Sequence, residues 1–292
     1  MTSILAADGT GHPTRMRARA HVRTELTTDD TGRVRTRLAT LRSQGPLKLR
    51  PTIGRRAERW PAAQTADLAR VCLAAGAAGP MGGDELVLQV QVGAGTTLVL
   101  TEASATVLLP GADEAQSRLQ VRVEVGPAAT FVWLPEPMIA ARGCHHVNNI
   151  DIELADDSRL LLREELLLGR RGESSGRIRQ VLRVRRDRRP LYLQELVLGE
   201  DSSRSPAVVG SHRAVGSMLV VDPKLPEIGP MQLDEDGALL PLAGGQAVLV
   251  QALSADSIGL RRQLDSGRAV LGAPWDGSVR RDDAPTPTPE AR

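Results

Sequence analysis

The residues best suited to chemistry are few, and one group of them is the run Cys144, His145 and His146. Neighbouring residues on a strand point in opposite directions, so Cys144 and His146 would share a face. Thiolate and imidazole both suit a soft or borderline divalent metal such as nickel. Two ligands hold a metal poorly, and the alternative interpretation is that the trio is structural or simply lies at the surface.

A second group consists of carboxylates crowded into one negatively charged segment. Oxygen ligands bind nickel more weakly than imidazole or thiolate, which suits transient passage better than storage. The alternative is an ordinary solvated surface. The residues are Asp84, Glu85, Glu102, Asp113, Glu114 and Glu136.

Motifs of the common enzyme classes are missing from the chain. There is no GxxxxGKS or GxxxxGKT loop for nucleotide phosphates, no GxSxG elbow for a serine nucleophile, and no CxxC pair for structural zinc. We therefore predict no catalytic residues, no enzyme activity and no tightly bound cofactor. A metal-dependent hydrolase built on Cys144 and His146 is the competing hypothesis, and it requires a third ligand.

Alternation with period two identifies the elements that would position these groups. Apolar and charged residues interleave over 16–26 and again over 34–40, and Asp29 to Gly32 form a turn between them, so we predict a hairpin. Many more short strands follow, which predicts an all-β fold of mainly antiparallel stacked sheets with one or two peripheral helices. The further strands predicted are Leu86–Val92, Thr96–Thr101, Leu119–Val125, Ala129–Leu134, Ile150–Leu154, Arg159–Leu168, Arg177–Arg185, Leu191–Leu198 and Ser217–Val221.

Signals for helices are sparse. The better one begins near Ser254 to Asp256 and ends at Gly267, while Asp67–Ala75 is a short candidate flanked by glycine. Residues 276–292 carry three prolines among threonines and charges, which predicts a disordered tail. We expect residues 1–275 to form a single domain.

Composition narrows the possible partners. Five aromatic residues give few platforms for stacking bases, so we expect no nucleic-acid binding. The net charge is only +2, but residues 1–60 and 159–195 are basic and the rest is acidic. An arginine-rich scaffold for acidic partners or nucleic acid is therefore an alternative function. The simpler interpretation is that charged strand faces pair with each other. We see no signal peptide or membrane span and expect a cytoplasmic protein.

Several short motifs in a fixed order resemble the urease accessory protein family UreD, also called UreH. The family resemblance is strongest over residues 79–200. It rests on Gly82-Gly83-Asp84-Glu85-Leu86, on Leu100-Thr101 to Thr106, on Trp133-Leu134-Pro135-Glu136 with Ile139, and on Arg159 to Leu166 followed by Leu168-Gly169-Arg170. The chain departs from the family where Glu102 and Ala103 replace a Thr and a Gln, and where Leu73 to Gly79 replace a His-Pro-Pro.

The resemblance implies a non-enzymatic chaperone for urease maturation. Family members bind apo-urease and UreF, which recruits the GTPase UreG, and nickel is thought to pass through a tunnel in this protein. On that basis we expect a transient nickel route along Asp84, Glu136, Cys144, His146 and Glu164. Glu164 stands out because an acid in an apolar strand must be paired, bound to metal or facing water. The motif residues expected to be structural are Gly82, Gly83, Thr101, Trp133, Pro135, Gly169 and Arg170, the last paired with Glu173.

Overall fold

The computed structural model describes residues 15–53, 67–199, 205–234, 236–272 and 274–275. This part of the chain forms eighteen strands and one α-helix. The strands are β1 (Arg17–Thr28), β2 (Val34–Arg42), β3 (Leu47–Pro51), β4 (Ala69–Ala75), β5 (Glu85–Val92), β6 (Thr97–Glu102), β7 (Thr106–Leu108), β8 (Ser117–Val125), β9 (Thr130–Leu134), β10 (Met138–Ala140), β11 (His145–Leu154), β12 (Arg159–Leu168), β13 (Arg177–Arg186), β14 (Arg189–Leu198), β15 (Ala214–Val221), β16 (Met231–Leu233), β17 (Gly237–Pro241) and β18 (Ala247–Ser254), and the helix is α1 (Ser257–Val270).

The strands form two stacked sheets. Sheet 1 has seven strands in the order β14-β13-β11-β8-β5-β1-β2. Sheet 2 has eleven, nine of them in the order β16-β17-β18-β15-β12-β9-β6-β4-β3, with β10 and β7 paired beside β12. The expectation of an all-β fold with a peripheral helix is confirmed.

The expectation of mainly antiparallel sheets is wrong, because both sheets are mixed. β1, β5, β8, β11 and β13 are parallel neighbours in sheet 1, and β4, β6, β9 and β12 are parallel neighbours in sheet 2. Between β4 and β13 the chain passes repeatedly from one sheet to the other, as in a β-solenoid. Two glycine-containing turns that look like hairpin turns in the sequence are corners between the sheets. They are Gly93 to Thr96 and Gly126 to Ala129.

These corners stack on each other through hydrogen bonds. The backbone N–H of Gly95 donates to the carbonyl of Pro127 at 2.8 Å, and that of Arg159 donates to Ala129 at 2.9 Å. Thr24 and Thr96, both fully buried, join their hydroxyls at 2.7 Å beneath the first corner. Because each corner satisfies the polar groups of the next, this end of the sandwich is tightly closed.

The hairpin predicted at the start of the chain is present. β1 and β2 pair antiparallel across the Asp29 to Gly32 turn, and Ala18, Ala20 and Val22 point into the core as the alternation requires. All nine further predicted strands coincide with strands of the structure. The segment Asp67–Ala75, too short and too closely flanked by glycine for a firm helix prediction, contains strand β4 instead.

The helix predicted near the C-terminus is confirmed and runs three residues beyond Gly267. The side chain of Asp256 caps it by accepting a hydrogen bond from the backbone N–H of Gly259 at 2.8 Å. Within the described residues no helix has the length and apolar character needed to cross a bilayer. The predicted disordered tail, 276–292, lies outside the described residues.

Three hydrophobic clusters hold the layers together. The largest fills the space between the sheets and contains the stacked pair Phe131 and Trp133, whose ring centroids are 6.4 Å apart. A second joins sheet 2 to α1 through Leu260, Leu264 and Trp275. A smaller one surrounds Cys144 and Ile178. Apart from these few rings the core is aliphatic, as the composition predicts.

Candidate functional site

Three adjacent cavities lie between the sheets at the end opposite to the closed corners. The wide cavity, about 430 Å³, opens between the β13–β14 hairpin and strands β15 to β18. The middle cavity, about 30 Å³, shares Glu164, Glu165 and Gln180 with it. The inner cavity, about 60 Å³, shares Glu102 and four apolar residues with the middle one. Together they form a row, the passage, that crosses the strands from the β14 side of the fold to β4.

Glu164 stands where the wide and middle cavities meet. Alternation along β12 turns Glu164 toward sheet 1 and Glu165 toward α1. The Glu164 residue is only 8% exposed; its Oε1 accepts a hydrogen bond from Gln180 Nε2, and its Oε2 has no partner. Burial raises the pKa of Glu164 to about 7. An acid with one free oxygen is thus held facing the passage.

Two further buried polar atoms without partners line the middle cavity. They are Trp133 Nε1 and Asn148 Oδ1, on residues that are 4% and 1% exposed. Buried polar atoms are normally satisfied by protein or by an ordered water, and a cavity of this size accommodates roughly one water molecule. The middle cavity therefore presents a few unsatisfied polar atoms in an otherwise largely apolar lining.

Glu102 occupies the junction between the middle and inner cavities. It ends strand β6, in which Leu98 and Leu100 point into the same inter-sheet core. Burial raises the pKa of Glu102 to about 8, although the backbone N–H of Glu136 donates a hydrogen bond to it. From the sequence, Glu102 is one of the crowded carboxylates and is not predicted to belong to the nickel route. The signal available was a carboxylate in the same alternating register as the inward-facing Leu98 and Leu100.

Glu136 lines the middle cavity, but its carboxylate is already paired. Arg261 of α1 donates to it at 3.1 Å and to Glu165 at 3.0 and 3.2 Å. Arg163 lies 2.7 Å from Glu165 on the other side. This cluster fastens α1 to the wall of the passage, and a metal would have to compete with Arg261 for Glu136.

Asp84 borders the inner cavity with both oxygens engaged. Oδ1 accepts from the backbone N–H of Met16 and Oδ2 from that of Met81, each at 2.9 Å. These two hydrogen bonds show that Asp84 caps the turn. Metal contact at Asp84 stays a prediction.

Cys144 and His146 are both buried, away from the lining of the three cavities. Burial raises the pKa of the Cys144 thiol to about 11 and lowers the pKa of His146 to about 3. Ser117 Oγ lies 2.8 Å from His146 Nδ1, and His146 Nε2 has no partner. Among the described residues no group of three or more His, Cys, Asp and Glu side chains could hold a metal ion. The third ligand that a hydrolase site would require is therefore not found there.

The residues expected to be structural occupy turns and packing positions. Gly83 and Gly169 have φ of +92° and +85°, which favours glycine, and Arg170 pairs with Glu173 at 2.8 Å as predicted. Trp133 and Pro135 line the middle cavity. Thr101 lies on β6 between Cys72 and Leu134.

The turn at Gly82 packs closely against the backbone of neighbouring loops. A Cβ on Gly82 would lie 2.5 Å from both the Ala115 carbonyl and the Gly111 nitrogen. We expect Gly82→Ala to lower the free energy of unfolding by about 1–3 kcal/mol, measured by urea denaturation, because backbone must move. The control Gly229→Ala, where nothing lies within 4 Å, should change it by less than about 0.5 kcal/mol. Equal effects of the two substitutions would contradict the crowding argument.

The outer face of sheet 1 carries many of the arginines of the basic segments. Neighbouring strands pair much of this charge, which supports the interpretation of strand faces that pair with each other. The ion pairs are Arg17–Glu85, Arg37–Glu25, Arg179–Glu195 and Arg183–Asp151.

Comparison with known proteins finds relatives that align with most of this chain. The family model described as UreD urease accessory protein matches residues 17–282. A urease accessory protein UreD of Frankia casuarinae is 40% identical, with 91% of this chain and 92% of the relative aligned. The UreD of Streptomyces coelicolor is 40% identical over 82% of this chain and 92% of its own, and UreD 2 of Saccharopolyspora erythraea is 38% identical over 78% and 80%. All three are named as accessory proteins.

Proposed function

Since this chain belongs to the UreD family of urease accessory proteins, we propose that it acts as a scaffold on which nickel is passed into apo-urease. In this proposal the chain is a non-enzymatic maturation chaperone. It binds apo-urease and UreF, UreF recruits the GTPase UreG, and the cation moves through the passage between the two sheets.

The observation that carries the proposal is Glu164. Its unpartnered oxygen faces the point where the wide and middle cavities meet. A buried acid without a full set of hydrogen bonds destabilises a fold, so its presence in an apolar strand calls for a functional explanation. A divalent cation would supply the missing partner.

The ligand set suits transport better than storage. Carboxylate and amide oxygens bind nickel more weakly than thiolate and imidazole do, and the buried Cys144 and His146 lie outside the lining of the passage. Because the described residues include no three-ligand cluster, an ion would be held at each position by few groups and released readily.

The test is reconstitution of urease from apo-urease, UreF, UreG, GTP and Ni²⁺ with full-length variants of this chain. We expect Glu164→Ala to lower the nickel content of urease roughly tenfold, the scale seen when a group supporting a metal site is removed. Gel filtration should still show the complex. Glu124→Gln, an exposed carboxylate on sheet 1, should load nickel normally.

Two results would overturn the proposal. One is full nickel loading with Glu164→Ala in an intact complex, which would remove the passage from the mechanism. The other is normal urease activation in cells that lack this chain, which would remove the whole maturation role.

A further inference from the structure

The junction at Glu102 is the second narrow point of the passage. Glu102 belongs to the lining of both the middle and the inner cavity, just as Glu164 belongs to both the wide and the middle cavity. Glu165 also borders the first boundary, but its carboxylate is paired with Arg261 and Arg163. Each boundary between successive cavities therefore has one carboxylate that no arginine occupies. The two residues come from different strands of sheet 2, β6 and β12, so the arrangement arises from the tertiary fold.

The contacts of Glu102 leave its carboxylate available. Within the part of the chain that the structure describes, the backbone N–H of Glu136 donates a hydrogen bond to it and no side chain does. The neighbouring acid, Glu136, is occupied by Arg261 and so does not compete for a cation. Between the two junctions lies Asn148, whose buried Oδ1 is an unpartnered acceptor in the middle cavity.

We propose that Glu102 is a second cation-binding position, at which a divalent ion arriving from Glu164 through the middle cavity is taken up before it enters the inner cavity. This inference rests on the proposed function. Asn148 Oδ1 contributes a neutral oxygen midway, and the small chamber admits the ion with little more than one water. The net effect is a sequence of weak oxygen sites that keeps the ion moving.

The residue type matters at this position. The family resemblance places a threonine where this chain has Glu102, and a neutral hydroxyl attracts a divalent cation far less than a carboxylate does. The acid therefore gives this chain a stronger second position than the family pattern provides.

The experiment uses the full-length chain in the reconstituted assay at limiting Ni²⁺, with the rate of urease activation as the first readout. We expect Glu102→Gln and Glu102→Thr to slow activation roughly tenfold and Glu102→Asp to restore most of the rate. Thermal unfolding of each variant checks that the fold is retained. If only one of the two variants, Glu102→Gln and Glu102→Thr, folds, the activation rate of that variant decides the outcome.

The second readout is direct. Crystals of the full-length chain soaked in Ni²⁺ should show anomalous density about 2.0–2.2 Å from a Glu102 oxygen, the usual distance from a carboxylate to such a cation, and Glu102→Gln should lose it. Density that persists in Glu102→Gln, or is missing beside Glu102 in the unaltered chain, overturns the assignment.

The outcomes separate this inference from the proposed function. Slow activation with both Glu164→Ala and Glu102→Gln supports the two together. Slow activation with Glu164→Ala and normal activation with Glu102→Gln overturns the role of Glu102 and leaves the passage in place. Normal activation with both variants overturns both.

Discussion

Trp275→Ala should lower the free energy of unfolding by about 3–5 kcal/mol, as expected for a fully buried tryptophan. Trp275 is 1% exposed and packs in the cluster that joins α1 to sheet 2. Its Nε1 donates to Asp222 Oδ2 at 3.0 Å, and its carbonyl accepts from Arg268 at 2.5 Å. Alanine would leave a cavity and deprive the buried Asp222 of a donor.

A conservative variant separates packing from hydrogen bonding. Trp275→Phe keeps most of the ring volume and loses the donor to Asp222, so it should cost about 1–2 kcal/mol. Urea denaturation followed by circular dichroism measures both variants. A loss below about 1 kcal/mol for Trp275→Ala would show that the helix and sheet do not depend on this residue.

Glu164→Gln should stabilise the protein in a pH-dependent way. Its effect on the free energy of unfolding should be more favourable by about 3 kcal/mol at pH 7 and above than at pH 4. The pKa of Glu164 is about 7 in the folded protein, above the ordinary value of 4.5. Below pH 4.5 the folded and unfolded states both keep the proton, so burial of the acid carries no ionisation cost. Between pH 4.5 and 7 the unfolded chain ionises first, and the folded state loses stability as the pH rises.

Glutamine cannot ionise, so the Glu164→Gln protein should not lose stability between pH 4.5 and 7 in this way. Any constant difference in hydrogen bonding to Gln180 cancels when the two proteins are compared across pH 4 to 8. Glu124→Gln, on the exposed face, should change the unfolding free energy by less than about 0.5 kcal/mol. A Glu164→Gln effect that is the same at pH 4 and pH 8 would mean that the acid is not buried as described.

The two effects of Glu164 point in opposite directions. We expect its loss to stabilise the fold near neutral pH and yet to impair nickel loading, so instability could not account for the functional defect. Such an opposition is typical of residues retained for function at a cost in stability.

Local patterns in the sequence were enough to predict much of the secondary structure. The β1–β2 hairpin follows from strict alternation on both sides of an Asp-Gly turn, and α1 follows from an Asp cap and an amphipathic repeat, because neighbours along the chain set both structures. The corners at Gly93 and Gly126 show the limit of such patterns. A glycine turn between two alternating strands reads the same whether the second strand returns beside the first or crosses to another sheet.

For the candidate site, too, some features could be predicted from the sequence and others only from the tertiary structure. Sequence alone determined that Glu164 needs a partner, because an acid in an apolar strand is costly wherever the strand packs. Only the tertiary structure decided that Glu102, far away along the chain, stands at the next junction of the same passage, and that Arg261 occupies Glu136. Cavities and ion pairs of this kind depend on which strands become neighbours, and that is settled by long-range packing of the two sheets, which no local spacing of residues records.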